Sequence, residues 1–483
     1  RTSTHTAEGL RFGLGWVGLL TPASALVLAV VCARMLLGWA DNDIFWHLAN
    51  GQQMVEQRRF PSPDTFSWTM PGREFIAYSA QVDRLFYVLW ALGGTVALGV
   101  FSAGAYVLAL LPYALLVGRA RARPLLEFLV MALVAFAYSP YMGARPHVLA
   151  FVLFGGLIYV LEKPLSLRRA VVAAVCLGAW ANVHGSFQVG FVVVGLGLLL
   201  WLWQRELKAA ALALVALLGG VALSLLSPYG VALWLHPFES VSYPYKEYNQ
   251  DWSSLTPFSS TDLPMGLLIL LAVGLGVWRK PSVRSLAALG LLLPSIHLSR
   301  FTPFVAPLLG TLILERVVSR QESLRAPSGY PGSRSALAAW TIIVAALVGV
   351  GVAMPDNIED AAYHDQPEAA VSRLLECGSP GEVWNSYNLG GYLLWRGGGE
   401  YKVLIDGRAE TLYDMSVFDD YMKVKQLNEG WKQVLAESPA RYILIETEGD
   451  APVAIGKLSG WRTVHQDGVA TLFVRDGAPW RCE

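Results

Sequence analysis

The segment Asp41-Asn42-Asp43-Ile44-Phe45-Trp46-His47-Leu48, followed by Gly51 and then Pro61-Ser62-Pro63-Asp64-Thr65-Phe66-Ser67, gathers the side chains best suited to chemistry. Two carboxylates one residue apart raise each other's pKa. That suits one of them for proton abstraction, or both for holding a divalent cation. A plainer reading stands beside it: Asp43 can cap a helix running from Ile44 to Gln57. Three further motifs place charged or imidazole groups beside apolar runs: Arg145-Pro146-His147, Asn182-Val183-His184 and His297-Leu298-Ser299-Arg300.

The elements that must position these groups are hydrophobic. Of 483 residues 54% are hydrophobic and 15% charged, against about 25% charged in soluble proteins. A soluble enzyme, a nucleic-acid binder and a disordered chain are excluded as descriptions of the whole, leaving a polytopic α-helical membrane protein. The 37 basic and 37 acidic residues balance, so net charge points to no nucleic acid. Apolar runs at Phe12 to Ala33 and Leu85 to Gly118, and others beginning near Leu125, Val148, Ala170, Gly185, Ala209, Leu263, Ser285, Phe301 and Ser335, give about eleven spans. The second run is too long for one span, so its first third, before Gly93-Gly94, reads as an interfacial helix.

Basic clusters at 119–123, 163–169, 205–208, 279–284 and 316–334 fall at alternate ends of successive spans. The positive-inside rule places them, with Arg1 and Arg11, in the cytoplasm. The N-terminus is then cytoplasmic and the segment after Met354 lies outside. The expected division is a membrane domain over 1–355, with its first external loop at 41–94, and a soluble extracytoplasmic α/β domain over 356–483. The runs starting at Val148, Ala170 and Phe301 are short and continue outward into the three polar motifs. Three such tips on one side favour a shared outward-facing pocket over unrelated interface anchors.

In the tail, Val383 to Trp395, Tyr401 to Ile405, Arg441 to Ile445 and Val469 to Val474 read as strands, and Val417 to Glu437 as helical. Cys377 and Cys482 bracket this domain and can form a disulfide outside the cytoplasm. Gly390-Gly391 and Gly397-Gly398-Gly399 lack a following Lys-Ser/Thr and read as turns rather than phosphate loops. Asp406-Gly407-Arg408 reads as a turn with a local ion pair, or as an acceptor contact.

The pattern Asp-x-Asp-x-x-Trp-His-Leu-x-x-Gly with Pro-x-x-Asp-Thr-Phe-Ser resembles bacterial integral membrane proteins of the GT-C glycosyltransferase superfamily. The likeness continues through Ala144-Arg145-Pro146-His147, Trp180-Ala-Asn-Val-His-Gly-Ser-Phe187, Ser227-Pro-Tyr-Gly230, Arg300-Phe-Thr-Pro303, Trp384-Asn-Ser-Tyr-Asn-Leu-Gly-Gly-Tyr392 and Ile405-Asp-Gly-Arg408. It implies a bacterial inner-membrane enzyme that moves a sugar from a polyprenyl-phosphate donor to an acceptor glycan, lipid or protein. It also implies a catalytic acid in the first external loop: Asp43, nearest Trp46 and His47, ahead of Asp41. Arg145, His147, His184 and Arg300 are the implied phosphate holders. Trp46, His47, Asp83, Asp251 and Trp252 are candidate acceptor or sugar contacts, and any divalent cation would sit on Asp41 and Asp43.

One departure is visible. Where related sequences carry a Glu-Trp-Leu-like motif, this chain reads Gln81-Val82-Asp83-Arg84-Leu85. That keeps open a non-catalytic subunit acting as a scaffold for membrane-complex partners. A proton-coupled carrier is disfavoured, because Glu127, Glu162 and Glu315 all stand near the ends expected in the cytoplasm.

Overall fold

A computed structural model describes residues 19–38, 40–241, 253–326, 333–353 and 362–482. The start of the first apolar run, the pair Asp251-Trp252 and the junction between the two domains lie outside them.

Each of the eleven apolar runs contains a helix. In chain order with two helices of other kinds, they are α1 (Pro22–Leu36), α2 (Asp43–Glu56), α3 (Ala80–Ala120), α4 (Pro124–Tyr138), α5 (His147–Leu161), α6 (Leu167–Ala181), α7 (Gln188–Trp203), α8 (Leu207–Ser224), α9 (Ala232–Val241), α10 (Leu263–Leu275), α11 (Val283–His297), α12 (Thr302–Arg320) and α13 (Ser333–Ala353). Helix α2 belongs to the first loop and α9 to the segment after Ser227-Pro228-Tyr229. Among the described residues, five helices, counting adjoining short turns, are long and apolar enough to cross a membrane: Ala80–Ala120, Pro124–Tyr141, Gly185–Trp203, Leu207–Ser224 and Ser299–Arg320. The 15-residue helices α5 and α6 rise only about 22 Å, short of the roughly 30 Å hydrocarbon core. Their ends therefore carry polar tips close to the apolar layer.

Helix α3 breaks where the sequence suggested. Gly93 and Gly94 leave helical geometry, Gly94 at φ 59°, ψ −149°, a region open to glycine and costly for any residue with a Cβ. The segment before the break exposes Leu85, Val88 and Leu92 on one side, while Phe86 and Tyr87 are buried on the other.

The tail is mixed α/β. Strands β1 (Glu382–Asn385), β2 (Lys402–Val403), β3 (Tyr442–Glu446), β4 (Trp461–Gln466) and β5 (Ala470–Arg475) form one sheet in the order β2-β1-β3-β5-β4. The β1–β2 and β1–β3 pairs are parallel, and β5 runs antiparallel to β3 and β4. Three expectations are corrected here. The strand expected to Trp395 stops at Asn385, and Tyr387–Arg396 is a helix. Gly390 and Gly391 lie inside that helix rather than in a turn: a Cβ on Gly391 would sit 3.2 Å from the Asn42 carbonyl oxygen and the Trp46 nitrogen, so the small residue lets this helix dock on the start of α2. The helical stretch 417–437 is two helices, Met415–Lys425 and Trp431–Glu437, parted at Gly430 with φ 86°. The expected disulfide joins Cys377 to Cys482, with Cα atoms 5.2 Å apart.

The first loop and the tail are knitted together. Phe66 and Trp68 exchange backbone hydrogen bonds with Val403, each 3.0 Å, so the loop covers the free edge of β2. Lys402 Nζ donates to the Thr65 carbonyl at 2.7 Å, and Trp68 Nε1 donates to that of Val383 at 3.0 Å.

Candidate active site

Helix α2 starts with Asp43, so Asp43 is not its cap. The position before it is Asn42, and it is Asp41 that ties the turn, its Oδ1 accepting the Asp43 N–H at 3.0 Å. That division frees the Asp43 carboxylate. Arg145, delivered by the α4–α5 connection, places Nε 2.8 Å from Asp41 Oδ1 and 3.4 Å from Asp43 Oδ2. Gly143 supports this geometry, since a Cβ there would press on Asp41 Oδ2 at 3.2 Å.

The environment drives the two carboxyls apart. Burial raises both, but the Arg145 charge and hydrogen bond, aided by the Asp43 amide, hold Asp41 below the usual range. Asp43 is raised by burial and by the neighbouring Asp41 charge, which together outweigh Arg145 and His47. One carboxylate thus stays ionised while its neighbour holds a proton more readily, the pattern that separates acid and base roles. Their side chains remain 22% and 24% exposed, enough to meet a ligand.

The three polar tips converge through aromatic packing beneath them. Phe304 on α12 meets Phe154 at 5.0 Å, Phe151 at 5.3 Å and Trp180 at 5.9 Å between ring centroids. These contacts join α5, α6 and α12 just below Arg145, His147, His184 and Arg300, at about 0.5–1.5 kcal/mol per pair beyond simple burial. His147 and His184 stand 6.1 Å apart, edge to face. The Ser186 N–H donates to His184 Nδ1 at 3.1 Å, so Nδ1 carries the lone pair and a proton on Nε2 can donate. Burial, then the positive charge of His147 and Arg300, pushes the His184 pKa well down and keeps the ring neutral. The Tyr106 hydroxyl lies 3.2 Å from His147 Nε2 and anchors the turn below it.

All of these meet in one cavity of about 180 Å³, lined by Asp41, Asp43, Trp46, His47, Arg145, His147, His184 and Arg300. Eight of the residues singled out from sequence are therefore neighbours. Asp83 stands one layer back: fully buried, it binds His47 Nδ1 at 2.6 Å and accepts from Asn50 Nδ2 at 3.1 Å. A carboxylate on Nδ1 fixes the imidazole tautomer and orientation, so Asp83 holds His47 rather than facing a ligand. His297 is exposed outside the cavity.

Sequence reasoning missed Tyr78, Ser79, Ser186, Tyr387 and Ala409 in the lining. Ser186 and Tyr387 lay within the motifs above and could have been flagged; Tyr78 and Ser79 carry no signal of their own. For a divalent cation the fit is poor. The Arg145 guanidinium lies against both carboxylates, where a bridging ion would sit, and no group of three His, Cys, Asp or Glu side chains placed to hold a metal occurs among the described residues. Hard divalent ions want about six oxygens.

At the opposite end of the bundle, Arg284 bonds both Glu162 and Glu315, while Glu127 accepts from Ser24 at 2.6 Å and from Thr21. The acidic residues a carrier would need are thus locked in local contacts.

No protein-family model matches this chain, and no curated protein matches it. Among solved structures, the crystal structure of ArnT from Cupriavidus metallidurans bound to undecaprenyl phosphate is similar, with a TM-score of 0.47 and 14% sequence identity over 93% of this chain and 97% of that one.

Proposed function

We propose that the protein is a membrane glycosyltransferase that moves a sugar from a polyprenyl-phosphate donor to an acceptor hydroxyl, working at the external face of a bacterial inner membrane. The observation that carries the reading is one cavity that brings a carboxylate pair together with Arg300, His147 and His184. The sequence motifs of the first loop and the helix tips agree with it, as do helices long and apolar enough to cross a membrane.

Asp43 accepts the proton of the acceptor hydroxyl as its oxygen attacks the anomeric carbon. The bond from that carbon to the lipid phosphate breaks, and the phosphate leaves with the electron pair. Arg300 meets the growing negative charge with its fork of donors, and neutral His184 donates from Nε2. Such preorganised donors usually supply the largest share of the rate enhancement. Arg145 keeps Asp41 ionised and holds the acidic turn in place. Trp46 and Tyr78 line the same cavity and are the aromatic groups a sugar would meet there.

The side facing the periplasm is inferred from the basic clusters and from the Cys377–Cys482 disulfide, which persists in an oxidising compartment. The acceptor is a glycan, lipid or protein hydroxyl.

The test is transfer by purified protein in lipid nanodiscs, with radiolabelled polyprenyl-phosphate sugars and an acceptor extract. Wild type should form a labelled product, and Asp43→Asn should lose about 100-fold or more in kcat, the usual worth of a general base. Absence of both transfer and donor binding across the donors tried, by a protein that keeps its fold, would overturn the reading.

A further inference from the structure

The cavity is not completed by the membrane domain. Tyr387, Gly407 and Ala409 of the tail also line it, and their place in the fold is informative. Strands β1 and β2 are parallel, and Tyr387 follows the carboxyl end of β1 while Gly407 follows that of β2. In open parallel sheets, ligands gather at the carboxyl ends of the strands. Asn385, the last residue of β1, locks the two ends together: its Oδ1 accepts the Leu404 N–H at 2.8 Å and its Nδ2 donates to the Ile405 carbonyl at 2.7 Å.

The turn that follows is held with unusual force. Arg408 is 2% exposed and forks onto Asp406, Nε to Oδ1 at 2.9 Å and Nη2 to Oδ2 at 2.6 Å, while Nη1 reaches Asp64 of the first loop. Asp64 is held in turn by the Phe66 and Ser67 amides and the Ser67 hydroxyl. The Tyr413 hydroxyl closes the set on Asp406 at 2.6 Å, and the guanidinium lies near the rings of Phe66 and Phe75. Burying such a group is costly until its partners offset the lost hydration, so a simple turn is an insufficient explanation. Its geometry has one evident product. Gly407 is pressed so closely on Asp43 and Trp46 that an added Cβ would overlap Asp43 Oδ1 and Trp46 Nε1.

We propose that Asp406-Gly407-Arg408 is a positioning clamp, by which the tail domain sets the rotamers of Asp43 and Trp46 and completes the lining of the reaction cavity. Gly407 is the contact point, and Arg408, tied to both Asp406 and Asp64, is the rivet joining tail to first loop. The tail is on this account an obligatory part of the site. The activity readout rests on the transferase reading above; a labelling readout does not.

The experiment uses the full chain in nanodiscs. A protonated carboxyl adds across a hydrophobic carbodiimide, its oxygen bonding to the central carbon as its proton passes to nitrogen, and modification of Asp43 is quantified by peptide mass spectrometry, together with transfer kinetics. Gly407→Ala leaves the Arg408 pairs with Asp406 and Asp64 in place and should displace Asp43. Its labelling rate should change several-fold, and kcat should fall about 10- to 100-fold, the penalty of misplacing a reacting group by about 1 Å. Arg408→Lys keeps the buried charge but cannot fork to Asp64 and Asp406 together, and should give the same two changes. Labelling and kcat as in wild type for both folded variants overturn the clamp while leaving the transferase intact. Altered Asp43 labelling with no transfer even by wild type supports the clamp and removes the transferase reading instead.

Discussion

At the scale of single residues, the division of labour between Asp41 and Asp43 follows from which neighbours each one keeps. Arg145 lies nearer Asp41, and the Asp43 amide bonds the same carboxylate. Asp43 receives burial and a like charge instead. As the proposed base, Asp43 must be deprotonated to work, so activity should be lost on acidification as pH falls through its pKa, which lies above the ordinary value of about 3.9. Asp41→Asn removes the like charge, and the acid limb of the kcat/KM profile should then move to lower pH. An acid limb that stays in place would assign it to another group. Asp83 teaches a related lesson. A carboxylate that stood as a candidate acceptor or sugar contact is the group that orients His47, and nothing in its sequence neighbours reveals that role.

At the scale of elements, the first loop and the tail behave as one unit joined by the Asp64–Arg408–Asp406 set and by the strand-like pairing of Phe66 and Trp68 with Val403. Burial opposes ionisation of Asp64, but Arg408, Ser67 and the Phe66 amide together hold its pKa below the usual range. A depressed carboxylate contributes stability that is fully present above its unfolded pKa and is lost as pH falls through its folded one. The union should therefore be firm at neutral pH and weaken only in strong acid. Asp64→Asn leaves Arg408 short of a partner in a buried site and should destabilise the folded tail by about 3–5 kcal/mol. Thermal unfolding followed by tail-specific proteolysis measures it, and a variant as resistant as wild type would show the pair to be dispensable. The strand expected from Val383 to Trp395 failed at this same scale. Its hydrophobic run suits either periodicity, and docking on α2 through Gly391 selected the helix.

At the scale of the whole molecule, the short helices α5 and α6 and the tip of α12 end together beneath the first loop, so the cavity lies at the boundary between apolar bundle and tail. Cysteines placed singly at positions 58 and 448 should react with a membrane-impermeant maleimide in intact cells, while one at 168 should react only after lysis; the reverse pattern would invert the topology. The apolar runs, the Gly93-Gly94 break, the disulfide partners and the Asp41–Asp43 pair were all legible in the sequence. Each depends on local hydropathy, on backbone freedom or on residue type alone. Only the tertiary structure decided that Asp41 rather than Asp43 ties the helix start, that Asp83 serves His47, and that Gly407, more than 360 positions away in the chain, touches Asp43. Those outcomes depend on which distant groups share a low-dielectric space, where one charge or one Cβ changes the balance, and chain order carries no record of that proximity.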